Sequence, residues 1–262
     1  MTKFSEMLDR LERGEDGWTV AISDDWLQGR TVYGGLAAAL CLEACGRELA
    51  DLPPLRSAQF AYVGPATGRL RIRPTLLRQG KSAVFVRVEL LGELGLATHA
   101  TFCLAANRSS SLVHDSTVRP SPRRLDECPT VFDRAPQSLA FIQHFDARLA
   151  AGYPPFSGAA PDMTIWARHR DTAAPSSLTS LIAIADTPPP AAFVLAKQPG
   201  PMSTMTWSVD ALSTKLKTSE GWWLVRANAE TAGDGYSSQS MTVWSADGTP
   251  VLASRQTCAL FL

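Results

Sequence analysis

The chain opens on a charged amphipathic stretch, MTKFSEMLDRLERGEDGW, and then enters DDWLQGRTVYGGLAAALCLEACGREL, where alanine and leucine dominate from Gly34 to Leu49. That second segment predicts a helix that is apolar on most of its circumference, with two glycines at its start. The period then changes. RLRIRPTLLRQG alternates Leu70 and Ile72 with Arg69, Arg71 and Arg73, SAVFVRVELLGE sets Val84, Val86 and Val88 on one face, and ATHATFCLAAN completes the set. All three read as strands, the first an edge or bulged one because Pro74 brings no ladder donor.

After Asn107 the periodicity fades into RSSSLVHDSTVRPSPRRLDECP, whose Ser, Pro and Arg content reads as a surface connection. Beyond it the plan repeats: strands in FIQHFDARLA and MTIWARHRD, an apolar helix over 176–187, then strands in MSTMTWSVDAL and WWLVRANAETAGDG. The hairpin SQSMTVWSADGTPVLASRQTCALF follows, with Asp247-Gly248 as its tight-turn pair. The expected units are 1–115 and 138–262, joined by a linker over 116–137. A helix apolar almost all round must be buried on most sides, and a twisted antiparallel sheet of about four to six strands is the element able to wrap it. The expected fold class is α+β, a double hot dog: two antiparallel sheets, each wrapped around a central, mostly apolar helix, joined edge to edge or packed across a pseudo-twofold.

Composition narrows the function. Among 262 residues, 25 basic side chains balance 25 acidic ones with no contiguous Lys/Arg run, which argues against nucleic acid or a membrane surface as partner. Apolar windows fall short of a bilayer span and the start lacks a signal-peptide core, so a cytoplasmic location is the default expectation. Cys41, Cys45, Cys103, Cys128 and Cys258 are odd in number and scattered, a pattern of reduced thiols rather than of a disulfide framework. No His or second Cys pair accompanies Cys41 and Cys45, so neither a metal nor another cofactor is expected.

The stretch SSLTSLIAIADTPPPA carries the candidate chemistry. Ser176 or Ser177 can cap the helix start, and the prolines explain why the helix stops. They do not explain Asp186, whose carboxylate opposes the helix macrodipole at a cost of roughly 0.3–1 kcal/mol. Two readings stay open: a turn residue bonding a nearby amide, or a partly buried carboxylate with a raised pKa, held as a base.

The stretches VYGGLAAAL, LIAIAD, MSTMTWSVD, WWLVRANAETAGDGYSSQSMTVWSADGTPVLAS and the RQ that follows together resemble the type II acyl-CoA thioesterases, a tandem hot-dog family, over nearly the whole chain. The resemblance implies a catalytic Asp at the end of the second-half helix, a Thr or Ser on the next strand and a Gln on the last one. Matched motif by motif, these are Asp186, Thr204 and Gln256, with acyl-CoA as substrate and water as the attacking group, without a covalent intermediate. Strand parity puts Gln256 on a face with Leu252, Cys258 and Leu260, as a site amide or a structural one, and Arg255 on the other. Thr204 shares its parity with Met202, Thr206 and Ser208, opposite Met205, Trp207 and Val209, so Ser203 or Thr206 can replace it as the working hydroxyl.

Oxyanion donors would come from a helix start: Gly34 and Gly35 in the first half or Ser177 and Leu178 in the second. Close packing explains the two glycines equally well. Glu43 stands nine residues after Gly34, as Asp186 stands nine after Ser177, which makes it either a second carboxylate or a solvent-facing residue. Arg168 and Arg170, with His169 between them, and Arg255 are candidates for the coenzyme A phosphates; Leu181, Ile182, Phe193 and Trp207 are candidates for lining the acyl chain. No G-x-S-x-G elbow occurs, and no His stands near either helix start, which disfavours a serine hydrolase and a hydratase. The rival reading is a non-catalytic protein binding acyl-CoA or another hydrophobic ligand. Long sheet edges needing cover predict a homodimer or higher oligomer.

Overall fold

The computed structural model describes residues 1–132 and 136–262. In the first half the order is α1 (Phe4–Asp9), β1 (Glu12–Gly14), β2 (Gly17–Ala21), β3 (Leu27–Gln28), β4 (Thr31–Val32), α2 (Gly34–Glu48), β5 (Leu55–Tyr62), β6 (Arg69–Gln79), β7 (Ala83–Gly92) and β8 (Gly95–Ala105). The second half holds β9 (Phe145–Gly152), β10 (Asp162–His169), α3 (Leu178–Ala185), β11 (Met202–Ala211), β12 (Trp223–Gly233), β13 (Tyr236–Trp244) and β14 (Pro250–Leu260). The first residues of FIQHFDARLA form a 3-10 turn, Ala140–His144, and the strand begins only at Phe145.

The two expected sheets are not distinct layers but are joined edge to edge into one antiparallel sheet of twelve strands, β1-β2-β6-β7-β8-β5-β11-β14-β13-β12-β10-β9. The halves join edge to edge, β5 against β11, from Thr206↔Ala61 to Asp210↔Ser57. Each half would otherwise leave a row of unpaired N–H and C=O groups on these strands, and the pairing satisfies both rows. The strand that makes the join was not among those read from the sequence. A bulge between Leu55 and Ser57 breaks its alternation, so that Leu55, Ala58 and Phe60 are its buried positions.

Helices α2 and α3 pack on each other and on the sheet, and their buried residues belong to one continuous core with Phe102, Trp207 and Val243. The all-apolar patterns of both helices follow from this double contact. Deep in the core, the Tyr33 hydroxyl donates to the Ala183 carbonyl at 2.8 Å, tying the start of α2 to the end of α3.

The stretch after β8 has no regular helix or strand as far as Arg124. Within the expected linker, of which 133–135 lie outside the described residues, the chain then follows the outer edge of β9. The Arg123 N–H donates to Ala150 O, Leu149 N–H to Pro129 O, and Val131 N–H to Ala147 O, at 2.8, 2.8 and 3.0 Å. The opposite edge, β1, is three residues long. Past its pairing with β2 at Arg69–Ile72, the outer side of β6 has no strand partner among the described residues and Thr75 to Gln79 are exposed, so an open edge of the kind on which oligomerisation was expected remains.

Candidate active site

Ser177 caps α3, its side chain accepting from the Ser180 N–H at 3.3 Å. At the other end, Thr187 sends both its N–H and its hydroxyl to the Ile184 carbonyl, at 3.0 and 2.7 Å, which closes the helix without help from the Asp186 side chain. Asp186 stands at the C-cap, and its side chain is free to turn elsewhere.

It turns to the first half. A Cβ added to Gly34 would lie 3.0 Å from Asp186 Oδ2, and the Gly35 N–H faces the carboxyl. Tyr33, the N-cap of α2, offers no side-chain bond to that helix start. Asp186 thus takes the place of an N-cap acid for the helix of the other half. The carboxylate that opposes the dipole of α3 is favoured by the dipole of α2, which is why it is tolerated there. Both glycines are also demanded by space, since a Cβ on Gly35 would meet the Tyr33 ring at 2.7 Å and one on Gly34 the Tyr62 ring at 3.5 Å. The packing and site readings of this pair describe one arrangement. Tyr62 adds to it, its hydroxyl donating to Gly34 O at 3.1 Å.

From β14, Gln256 Nε2 donates to Asp186 Oδ1 at 2.6 Å. Gln256 is buried and Arg255 exposed, as parity expected. Burial pushes the Asp186 carboxyl up to about 7, against the bonds from Gln256 and Gly35, which pull it down. The residue is half-buried, so solvent reaches part of it. The same burial, with the Asp186 charge added, raises the Tyr33 and Tyr62 hydroxyls well above their ordinary range and the Cys258 thiol to about 12.

Thr204 departs from simple parity. A bulge between Thr204 and Thr206 shifts the register, so Thr204 pairs with Cys258 and Trp207 with Gln256, both on the inner face. Ser203 and Thr206 are exposed while Thr204 is half-buried, with its hydroxyl 3.9 Å from the Cys258 sulfur. Of the three hydroxyls, only Thr204 turns inward. Its partner is the thiol, so it stands beside the Asp186–Gln256 pair rather than bonded within it.

The other helix start lies at the far end of α3. There Thr179 donates to Glu43 Oε2 at 3.4 Å, and Glu43 is held by Arg47 at 2.9 Å. Of the four oxyanion candidates, Gly34 and Gly35 adjoin Asp186, whereas Ser177 and Leu178 stand at the opposite end of α3, next to the Thr179 that meets Glu43. The arginines are engaged elsewhere: Arg168 and Arg170 with Asp146 at 3.0 and 3.2 Å, and Arg255 with Glu230 on the outer face. His169 bonds Ser180 O, and burial holds its imidazole down at about 4. Leu181, Ile182, Phe193 and Trp207 are all buried in the core. All five cysteines are free thiols. Among the described residues no group of three His, Cys, Asp or Glu side chains is placed to hold a metal, and no helix is long and apolar enough to cross a membrane.

Gln239, on β13, went unremarked in the sequence. It is fully buried, donates from Nε2 to Gln256 Oε1 at 2.7 Å and accepts the Ala191 N–H at 2.8 Å. The signal was present: in SSQSMTVW it shares parity with Met241 and Val243, both buried, so a polar residue stands on the apolar face.

The sequence profile of the acyl-CoA thioesterase N-terminal domain matches residues 22–107 and that of the acyl-CoA thioesterase C-terminal domain residues 125–260. No curated protein matches the chain. Among solved structures, a conserved protein of unknown function with hot dog fold from Alicyclobacillus acidocaldarius is 23% identical, with a TM-score of 0.89 over 99% of this chain and 98% of its own. The tesB protein of Mycobacterium avium subs paratuberculosis is 17% identical, with a TM-score of 0.77 over 99% and 98%. An acyl-CoA thioesterase II, TesB2, from Mycobacterium marinum is 15% identical, with a TM-score of 0.75 over 98% and 97%. At these identities the likeness is one of fold, while the two profiles reach further: the chain belongs to the acyl-CoA thioesterase family, carrying its N-terminal domain followed by its C-terminal domain.

Proposed function

We propose that the chain hydrolyses fatty acyl-CoA thioesters by direct attack of water, with Asp186 as general base. A thioester is already activated towards acyl transfer, so the protein needs a base, donors for the oxyanion and a means of holding the water. The observation that carries the reading is the convergence of Asp186, the Gln256 amide and the uncapped glycine start of α2 on one half-buried point. A carboxyl brought to about 7 is well matched to taking a proton at neutral pH.

In this mechanism the water gives its proton to Asp186 as its oxygen bonds to the carbonyl carbon. The developing oxyanion is held at the start of α2 by the Gly34 N–H, while the Gly35 N–H stays on Asp186. Collapse breaks the C–S bond, and the departing thiolate takes the proton back from Asp186, leaving the fatty acid and free coenzyme A. Gln256 and the Thr204 hydroxyl position the water. The cytoplasmic location and a homo-oligomeric state belong to the same reading.

The test is thiol release from acyl-CoAs of several chain lengths. Release by the wild type and its loss in Asp186→Asn, by about 10²- to 10⁴-fold with the fold retained, are expected. An Asp186→Asn variant as fast as the wild type would remove the base, and no release with any chain length would favour the ligand-binding reading.

A further inference from the structure

We infer that Gln239 is a positioning residue that fixes which end of the Gln256 amide faces Asp186, and that the Ala191 N–H, delivered by the proline run, fixes Gln239 in turn. The inference rests on the proposed role of Asp186 as base. A primary amide has two ends of nearly equal shape, and only its partners decide which way it points. With Nε2 towards Asp186, Gln256 stabilises the carboxylate; reversed, it would set an oxygen against it.

A neighbouring amide alone does not remove this ambiguity. Gln239 and Gln256 are direct cross-strand partners on β13 and β14, and if both reversed together they would keep one hydrogen bond between them. The symmetry is broken by a group that can only donate. The Ala191 N–H donates to Gln239 Oε1 at 2.8 Å, which turns Gln239 Nε2 to Gln256 Oε1 at 2.7 Å, which turns Gln256 Nε2 to Asp186 Oδ1 at 2.6 Å. Direction thus passes along three bonds from a main-chain donor to the carboxyl. Both amides are buried, at 0% and 3% exposure, so no bulk water competes for their ends.

The proline run gains a purpose beyond stopping α3. Thr187 spends its N–H on Ile184, and Pro188, Pro189 and Pro190 have none. Ala191 is therefore the first residue after the helix with a main-chain donor to give, and the stiff prolines set where it arrives.

Two variants test this. Gln239→Leu removes the donor to Gln256, and Ala191→Pro replaces the donor at the head of the chain by a ring methylene that pushes Gln239 Oε1 away, in the first position of a 3-10 turn where the proline backbone is tolerated. Titration of Asp186 in the intact protein, followed through its side-chain carboxyl carbon by NMR, needs no turnover. The other titratable groups close to it, Tyr33, Tyr62 and Cys258, are all raised by burial, so the midpoint belongs to the carboxyl. We expect it to rise in Gln239→Leu and, by less, in Ala191→Pro. The rate at pH 7 should fall about tenfold in Gln239→Leu, at unchanged KM, and recover towards pH 9. A structural role alone would not move the pH profile. An Asp186 midpoint unchanged in whichever variants fold overturns the inference. A midpoint that rises in a protein without thioesterase activity upholds the positioning while the reading of Asp186 as base falls.

Discussion

The two helix junctions of this molecule are built alike and differ in chemistry. At one, Asp186 at the end of α3 faces the start of α2; at the other, Glu43 on α2 faces the start of α3. Glu43 is paired with Arg47 and a quarter exposed, and its bonded partners among the described residues, Arg47 and Thr179, include no amide side chain. Ser177 already caps α3, whereas nothing on Tyr33 caps α2. A carboxylate near a helix start is thus not sufficient for a site. What separates the junctions is that Asp186 has no cation partner among the described residues, is desolvated, and is held by a directed amide.

The largest effect expected from breaking this contrast is the loss of turnover in Asp186→Asn, read as thiol release. The same variant should change stability in a way that depends on pH. Because the folded carboxyl titrates at about 7 rather than 3.8, the folded state holds this proton more tightly than the unfolded chain does between those values. Its contribution is fully present below pH 4 and is lost as pH rises through 7, on the order of 4 kcal/mol in all. Asp186→Asn should therefore match the wild type near pH 4 and exceed it in urea stability at pH 8.

Next in size is Gly35→Ala, whose new methyl would meet the Tyr33 ring. About 1–3 kcal/mol of destabilisation by overpacking is expected in thermal or urea melts, together with reduced activity. Smallest is Glu43→Gln, which loses an ion pair whose two side chains are each about a quarter exposed. Stability should change by about 0.5 kcal/mol or less, with thiol release unaffected. A large loss of activity there would make the second junction a working site and erase the contrast.

Much of this was legible in the sequence because it is written in periods. The apolar helix at Gly34, the alternating strands and the hairpin at Asp247-Gly248 all stand where the residue pattern put them. Gln256 was picked out by its resemblance to a family motif, and its inward face was legible because the parity of its strand survives intact. Two of the misses share one cause, the β-bulge. One bulge hid β5, the strand that fuses the halves, and another reversed the face of Thr204, since a single extra residue inverts every later position of a two-residue repeat. The destination of Asp186 was beyond local reading for a different reason. Its helical partner lies about 150 residues earlier in the chain, and only the packing of α3 on α2 brings the two together.

The seam between β5 and β11 has a consequence for the molecule as a covalent object. A protease nick or an engineered break in the exposed stretch after Ala105 would leave two fragments, each ending its sheet in a strand whose natural complement is the other fragment. One fragment would carry the glycine start of α2 and the other the carboxylate and its amides. Complementation of co-expressed fragments would then restore both the sheet and the site, and neither piece alone would hold a whole one.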